Sequence, residues 1–302
     1  MAGISHKQKV TSNNRPLRQS LKEYARGITG GLLFSFPLLY TMEVWWAGFT
    51  ASPQQLLLLV AVTYLLLLGY NRFAGMRPDV SWRSVMVDSV EEMGIGLLLS
   101  FAVLLMLNQI EFGQMSTDEL MGKVIIEAMA VSIGVSVGTA QLGANEGDTD
   151  ADQLTEQRQK EQAEREHKDS LYRSRLGSAV LALCGAILVG GNVAPTEEVI
   201  QIALDSTAGN ILTMALVSLT LSAVILYFSD IKGKATENTT GQLYNFIFDT
   251  CISYLVGLMA AAFMLWFFGK FTGVSFWVGF SQSITLGVLT SLGASAGRLL
   301  IK

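Results

Sequence analysis

The 302-residue chain is poor in histidine, cysteine and charged residues. Its two histidines, His6 and His167, lie outside the apolar runs, so histidine cannot build a haem, zinc or serine-hydrolase site within those runs. The two cysteines, Cys184 and Cys251, lie inside apolar runs and indicate no disulfide. Phosphate-loop and potassium-filter motifs are absent from the sequence. We therefore expect no enzyme activity, no metal site and no cofactor.

Apolar residues dominate the composition instead. Half of the residues are hydrophobic, 15% are charged, and the mean hydropathy is +0.41. A helix needs about 20 apolar residues to cross a bilayer, and lipid leaves no backbone group unpaired, so such runs form helices. We predict an all-α polytopic membrane bundle of eight spans, at residues 27–47, 55–71, 88–110, 120–143, 176–194, 210–229, 246–268 and 276–299.

The basic residues predict the orientation. With eight spans, all but two of the 21 lysines and arginines fall on the same side of the membrane, and the exceptions are Lys123 and Lys270. Cytoplasmic loops carry the excess of basic residues in membrane proteins. We therefore expect a multi-pass protein of the cell (inner) membrane with both termini in the cytoplasm and the lipid bilayer as its main partner.

The chain also shows faint internal similarity. Sliding the sequence over itself lays V-M-V-D-S onto F-I-F-D-T, which matches Asp88 with Asp249. A slightly different shift places Gln282 opposite Glu127. We predict two parallel four-helix units related by an axis along the membrane normal. The predicted organisation is a basic arm at 1–26, a first unit at 27–143, a charged linker at 144–175 and a second unit at 176–302.

The linker is the most charged segment. Glu156 and Lys160 begin a series of i, i+4 pairs that favours a solvated cytoplasmic helix. D-T-D-A-D from Asp148 resembles the start of a calcium loop, but Gln153 and Gln159 replace the glycine and the acid that such a loop needs. We therefore predict no calcium site there.

Glu127 is the most unexpected residue of the apolar runs. It lies within the fourth predicted span, where a charge costs on the order of 3 kcal/mol or more. One interpretation pairs it with Lys123, which precedes it by four residues on the same helix face. The other places Glu127 and Gln282 at one depth around a hydrated cavity shared by the two units.

Other acids lie nearer the predicted helix ends. Asp88, Glu91 and Glu92 share one face at the start of the third span, where they would either cap the helix or bind an ion. Asp249 lies about one turn inside the seventh span. On the outer side, an acidic rim that attracts cations is predicted from Glu43, Glu197 and Glu198.

The eight spans, the charged linker and the motif N-V-A-P-T-E-E from Asn192 resemble a bacterial family of integral membrane proteins of unknown function. The resemblance covers nearly the whole chain from about Leu17. It implies a bacterial inner-membrane setting and no particular activity.

These patterns favour a transporter or channel-like protein for a cation or proton, or for a small solute coupled to one. Glu127 and Asp249 would be the exchangeable carboxylates, with Gln282 and Asp88 as their counterparts. The alternative is a non-transporting scaffold or sensor that acts through its cytoplasmic linker. An intramembrane aspartyl enzyme built on Asp88 and Asp249 is the least favoured possibility. Small-residue faces would also serve a homo-oligomer, and no nucleic-acid partner is expected.

Overall fold

The computed structural model describes residues 17–74, 81–143, 167–230 and 239–298, which form ten α-helices and no strands. The all-α prediction is confirmed. The basic arm before residue 17, the calcium-like segment and the linker helix around Glu156 lie outside the described residues. The helices are α1 (Leu17–Leu39), α2 (Met42–Thr50), α3 (Pro53–Phe73), α4 (Trp82–Met106), α5 (Thr117–Gly143), α6 (His167–Gly191), α7 (Glu198–Asp205), α8 (Ala208–Asp230), α9 (Thr239–Phe267) and α10 (Phe276–Arg298).

Each predicted span corresponds to a long helix, but the first one is broken. The chain turns by 84° between α1 and α2, so the run predicted at 27–47 is two helices. Pro37 lies in the last turn of α1, where it cannot donate a backbone hydrogen bond and helps to end the helix. α2 has a counterpart that the sequence reading also missed, the short α7 that follows α6.

Five of the described helices are long and apolar enough to cross a membrane, namely α3, α4, α5, α8 and α9. A sixth span results if α1 and α2 are counted together. The apolar part of α6, Arg175–Gly191, is shorter, and α10 carries many serine, threonine and glycine residues. Membrane insertion is thus supported by several helices, and the count of eight spans stays a prediction.

Each half of the chain is built around a central helix. α5 packs against α1, α2, α3 and α4, and α10 packs against α6, α7, α8 and α9. Glycines allow the closest approaches: Gly30 of α1 lies against the backbone of Gly138 in α5, and Gly185 of α6 lies against Gly297 in α10. Small residues let helix backbones approach in a bilayer, where van der Waals packing holds helices together.

The capping residues at the start of α5 and α10 show which positions of these two helices correspond. Glu119 N–H donates to Ser116 Oγ at the start of α5, and Val278 N–H donates to Ser275 Oγ in the same way at α10. Counting from these two caps, Gly138 matches Gly297, which agrees with their equivalent glycine contacts. The division into an arm, two membrane units and a linker stays a prediction, but the common register permits a position-by-position comparison of α5 with α10.

The halves meet mainly through α6, which packs against α3 and α5. Leu67, Tyr70 and Leu181 form the buried centre of this contact. A small apolar cavity of about 60 Å³ lies beside it, lined by residues of both halves that include Ile126 and Phe267. The interface between the halves is therefore hydrophobic and contains no wide hydrated passage at this point.

One polar side chain also crosses between the halves at the end of α1. Leu38 N–H donates to Asn192 Oδ1 at 3.0 Å, and Asn192 Nδ2 donates to the Phe34 carbonyl at 3.2 Å. In an uninterrupted helix this N–H and this carbonyl would pair with each other. Asn192, the first residue of N-V-A-P-T-E-E, is thus inserted into the last turn of α1.

Candidate functional site

Glu127 lies in the middle of α5 and is fully buried, with 0% of its surface exposed. Neither carboxylate oxygen finds a hydrogen-bond partner among the described residues. Burial of an ionised carboxylate costs several kcal/mol of stability, and without a hydrogen bond or an ion pair this cost is not compensated. The carboxyl therefore needs a proton or a cation to neutralise it.

Lys123 forms no direct ion pair with Glu127, so the interpretation that pairs the two side chains is wrong, although the charge of Lys123 still acts on the Glu127 carboxyl. Lys123 Nζ lies 3.0 Å from Glu119 Oε1 and 3.5 Å from the Gln109 carbonyl oxygen. Helical side chains lean toward the helix amino terminus, which here leads Lys123 away from Glu127. A long lysine side chain also extends toward the membrane interface rather than deeper into the bundle.

The neutral polar groups nearest in depth to Glu127 come from α1, α2 and α4. Trp45 approaches its carboxyl, but the indole Nε1–H donates to the Leu39 carbonyl at 3.3 Å. Two hydroxyls, those of Ser35 and Ser100, are buried and have no partner in the described part of the chain. Their depths relative to Glu127 follow from the registers of α1 and α4 against α5.

Glycine contacts fix these registers. Gly31 of α1 lies against Val131 and Val135, so Ser35, one turn further along α1, comes level with Glu127 and Val131. Gly96 of α4 lies against Ala128 and Ser132. Since α4 runs antiparallel to α5, Ser100 comes level with Val124 and Ala128, the neighbours of Glu127 on the helix face turned to α4.

Gln282 is also fully buried, and both of its side-chain polar atoms lack a partner among the described residues. The register nevertheless differs by one turn from the sequence alignment. Counted from the caps Ser116 and Ser275, Gln282 matches Lys123 and Leu286 matches Glu127. α5 and α10 are the centres of different halves, and the shared cavity between Glu127 and Gln282 stays a prediction.

A second buried acid, Glu92, lies in a hydrogen-bond network that the sequence reading missed. Asn71 of α3 donates from Nδ2 to Glu92 Oε2 at 2.7 Å and to Ser89 Oγ at 3.1 Å. Ser136 of α5 donates to Asn71 Oδ1 at 2.9 Å. The network joins three helices. The sequence signal for this network was Asn71, a polar residue at the end of the second apolar run, on the same side of the membrane as Glu92.

Asp88 and Glu91 are less enclosed than Glu92. α4 begins at Trp82 after the capping residue Ser81, so the prediction that these acids cap the helix is wrong. Asp88 is half-buried and accepts a hydrogen bond from Ser84 at 3.4 Å. Glu91 is exposed and accepts one from the Tyr24 hydroxyl.

Asp249 is compensated by Arg298. The Arg298 Nη2 atom lies 2.9 Å from Asp249 Oδ1, and Nη1 donates to the Asp249 carbonyl and to Ser253 Oγ. The side chain of Asp249 is 36% exposed. Unlike Glu127, it has a positive partner and access to the surface, which favours a structural role that joins α9 to α10.

The acids predicted to form an outer rim are at or near the surface. Glu197 Oε1 lies 2.7 Å from Lys270 Nζ, and Glu198 is exposed in the first turn of α7. Glu43 is half-buried at the start of α2. Within the described ranges, no group of three or more histidine, cysteine or acidic side chains is placed to hold a metal ion.

The carboxyl groups therefore differ in kind. Glu127 is buried and unpartnered, Glu92 is buried and hydrogen-bonded, and Asp249 is ion-paired. In a comparison with known families, the model of the family described as "Putative integral membrane protein (DUF2391)" matches residues 23–301. No curated protein and no solved structure matches the chain.

Proposed function

The chain belongs to this family of integral membrane proteins, and we propose that it transports a cation or a proton, or a small solute coupled to one, across the bacterial inner membrane. Glu127 is the carboxyl group that the transported ion neutralises. Both termini lie in the cytoplasm, as the distribution of basic residues predicts.

The observation that carries this proposal is the state of Glu127. A buried carboxyl group whose oxygens have no hydrogen-bond partner among the described residues lowers stability. Ionisable residues inside a membrane protein mark ion pathways and proton relays more often than structural sites. The four helices around α5 keep Glu127 away from lipid, as a transport site requires.

Ion flux through proteoliposomes tests the proposal. The purified chain is reconstituted, gradients of sodium, potassium and protons are imposed in turn, and each flux is measured for the wild type and for Glu127→Gln. Gln282→Leu is the matched control, because Gln282 is equally buried and unpartnered but carries no charge.

We expect the wild type to move at least one of these ions, Glu127→Gln to lose that flux, and Gln282→Leu to retain it. Asp249→Asn separates the ion pair with Arg298 from transport and is expected to retain flux as long as it folds. A wild type that moves none of the ions, or an active Glu127→Gln, contradicts the proposal and directs attention to partners of the cytoplasmic linker.

A further inference from the structure

We infer that the ion reaches Glu127 from the outer side of the membrane, and that Trp45 of the short helix α2 is the gate on this route. The gate rests on the proposed function, because it controls access to the carboxyl group that the transported ion neutralises. It adds the side of entry and a residue that determines when the site is open.

The indole ring of Trp45 lies at the level of Glu127. It packs against the buried cluster that contains Val124, three residues before Glu127. Its Nε1–H donates at 3.3 Å to the carbonyl of Leu39, whose side chain packs with Val131, four residues after Glu127. Positions at these spacings share one face of a helix. The ring also approaches the carboxyl group itself, so it covers the face of α5 that carries Glu127.

Trp45 also reaches the surface of the molecule. It is half-buried, whereas Glu127 is fully buried. The cluster beneath the ring includes Ile110 of the connection between α4 and α5, and Asn108 of this connection is exposed. Exposed irregular backbone does not lie in lipid. The ring of Trp45 therefore lies between the carboxyl group and the hydrated outer end of the bundle.

The side chain of Trp45, rather than the whole helix α2, is the part that can move. Gly48 of α2 lies against Gly122 of α5 so closely that neither glycine has room for a Cβ. This contact holds α2 on α5. The hydrogen bond from the indole to Leu39 is, in contrast, long for an N–H donor. A change of the Trp45 rotamer breaks this bond and uncovers Glu127 without any shift of the helix.

The second half has aliphatic residues at both matching places. Leu286 of α10 matches Glu127 when counted from the helix caps. The two short helices each bury a pair of residues four positions apart, Val44 and Gly48 in α2 and Val199 and Ala203 in α7. With these pairs matched, Ile200 takes the place of Trp45. A short helix thus packs in this position without a tryptophan, and the tryptophan occurs in the half that has an acid to cover.

Labelling of Glu127 with a positively charged, water-soluble carbodiimide tests the gate. The reagent modifies accessible carboxyl groups and does not cross a bilayer. The full chain is prepared in membrane vesicles of each orientation, and mass spectrometry follows the modification of each carboxyl group with time. Asp118, which is exposed at the start of α5, is the internal standard for reagent on the outer side.

Three variants are compared with the wild type. Trp45→Ala removes the gate, and Trp45→Phe keeps an aromatic ring but loses the hydrogen bond to Leu39. Trp46→Ala is the matched control, because Trp46 is the next residue of α2 and is 55% exposed, as is usual for a tryptophan at a membrane interface. Thermal unfolding shows which purified variants are folded, and ion flux is measured on the same preparations.

With the reagent on the outer side, we expect slow modification of Glu127 in the wild type and modification about tenfold faster or more in Trp45→Ala, because the open state is a minor population while the ring is in place. Trp45→Phe is expected to lie between the two, and Trp46→Ala to match the wild type. If Trp45→Ala does not fold, an unchanged rate in Trp45→Phe overturns the gate.

The possible failures are distinct. Equal rates in the wild type, Trp45→Ala and Trp46→Ala, with Asp118 modified, overturn the gate, and so does faster modification of Glu127 from the inner side. In both cases a flux that depends on Glu127 leaves the proposed function standing. Faster labelling in Trp45→Ala without any ion flux in the wild type contradicts the proposed function, and with it the ion route past Trp45.

Discussion

Asn71 shows how one amide satisfies polar groups from three helices. Its side chain donates to Glu92 and Ser89 of α4 and accepts from Ser136 of α5. Hydrogen bonds to a charged or ionisable group contribute more than neutral ones, and removal of one partner leaves the others buried and unsatisfied. The network therefore fixes Glu92 at its depth.

Asn71→Ala is expected to lower the free energy of unfolding by about 2–3 kcal/mol, because Glu92 and Ser136 lose their partner inside the bundle. Thermal unfolding of the purified variant in detergent measures the loss. Asn210→Ala at the exposed start of α8 is the control and is expected to change stability by less than about 0.5 kcal/mol. Equal effects of the two variants would show that the network contributes nothing.

The burial of Glu127 could be predicted from the sequence, but the partner of Lys123 could not. Glu119 and Glu127 are each four residues from Lys123, one on either side, so spacing alone allows both pairs. The choice depends on depth, since Glu119 lies in the first turn of α5 and Glu127 in its middle. Only the packed bundle fixes that depth.

At the scale of elements, glycine contacts decide how α1 and α4 lie against α5. The helix axes come close at Gly30 and Gly138, where backbone touches backbone. The close approach of α1 to α5 places Ser35 at about the depth of Glu127. The position of the candidate site therefore depends on small residues that have no chemistry of their own.

Gly30→Ala is expected to destabilise the protein by about 1–3 kcal/mol, because the added methyl group would overlap the Gly138 backbone and force α1 from α5. Gly94→Ala is the matched control. A Cβ at Gly94 meets nothing within 4 Å, and alanine favours the helix by roughly 0.5–1 kcal/mol. Thermal unfolding of both variants measures the two changes in stability. A change of similar size and the same sign in both variants would contradict the packing account.

The helices could be predicted from apolar run length, whereas their register could not. Apolar sequences align with one another almost equally well at several shifts. The register counted from the caps Ser116 and Ser275 and from the glycine contacts differs by one turn from the alignment that placed Gln282 opposite Glu127. Pro37 is the sequence signal for a kink in the first span, but the apolar residues on both sides do not show that the chain divides into two helices there.

At the scale of the whole molecule, Asn192 joins the two halves. Its amide takes the place of the hydrogen bond between Leu38 N–H and the Phe34 carbonyl, beside Pro37. A helix end in lipid needs every such group satisfied. The break in the first half is therefore completed by a residue of the second.

Asn192→Leu is expected to lower the free energy of unfolding by about 1–3 kcal/mol, since the Leu38 N–H and the Phe34 carbonyl lose their partner. Hydrogen exchange at the Leu38 amide should accelerate in step. Asn192→Asp keeps the acceptor for Leu38 and loses the donor to Phe34, so its effect should be intermediate. Slow exchange at Leu38 in Asn192→Leu would contradict the joining role.

The central claim is that Glu127 is present for ion transport at the expense of stability. Measurement of unfolding temperature and ion flux on the same preparation of Glu127→Leu tests it most directly, because leucine is the residue at the matching place, Leu286, in the second half. We predict that Glu127→Leu raises the unfolding temperature, which corresponds to a gain of about 1–3 kcal/mol in the free energy of unfolding, and that it abolishes flux. A lower unfolding temperature with flux retained would contradict the account.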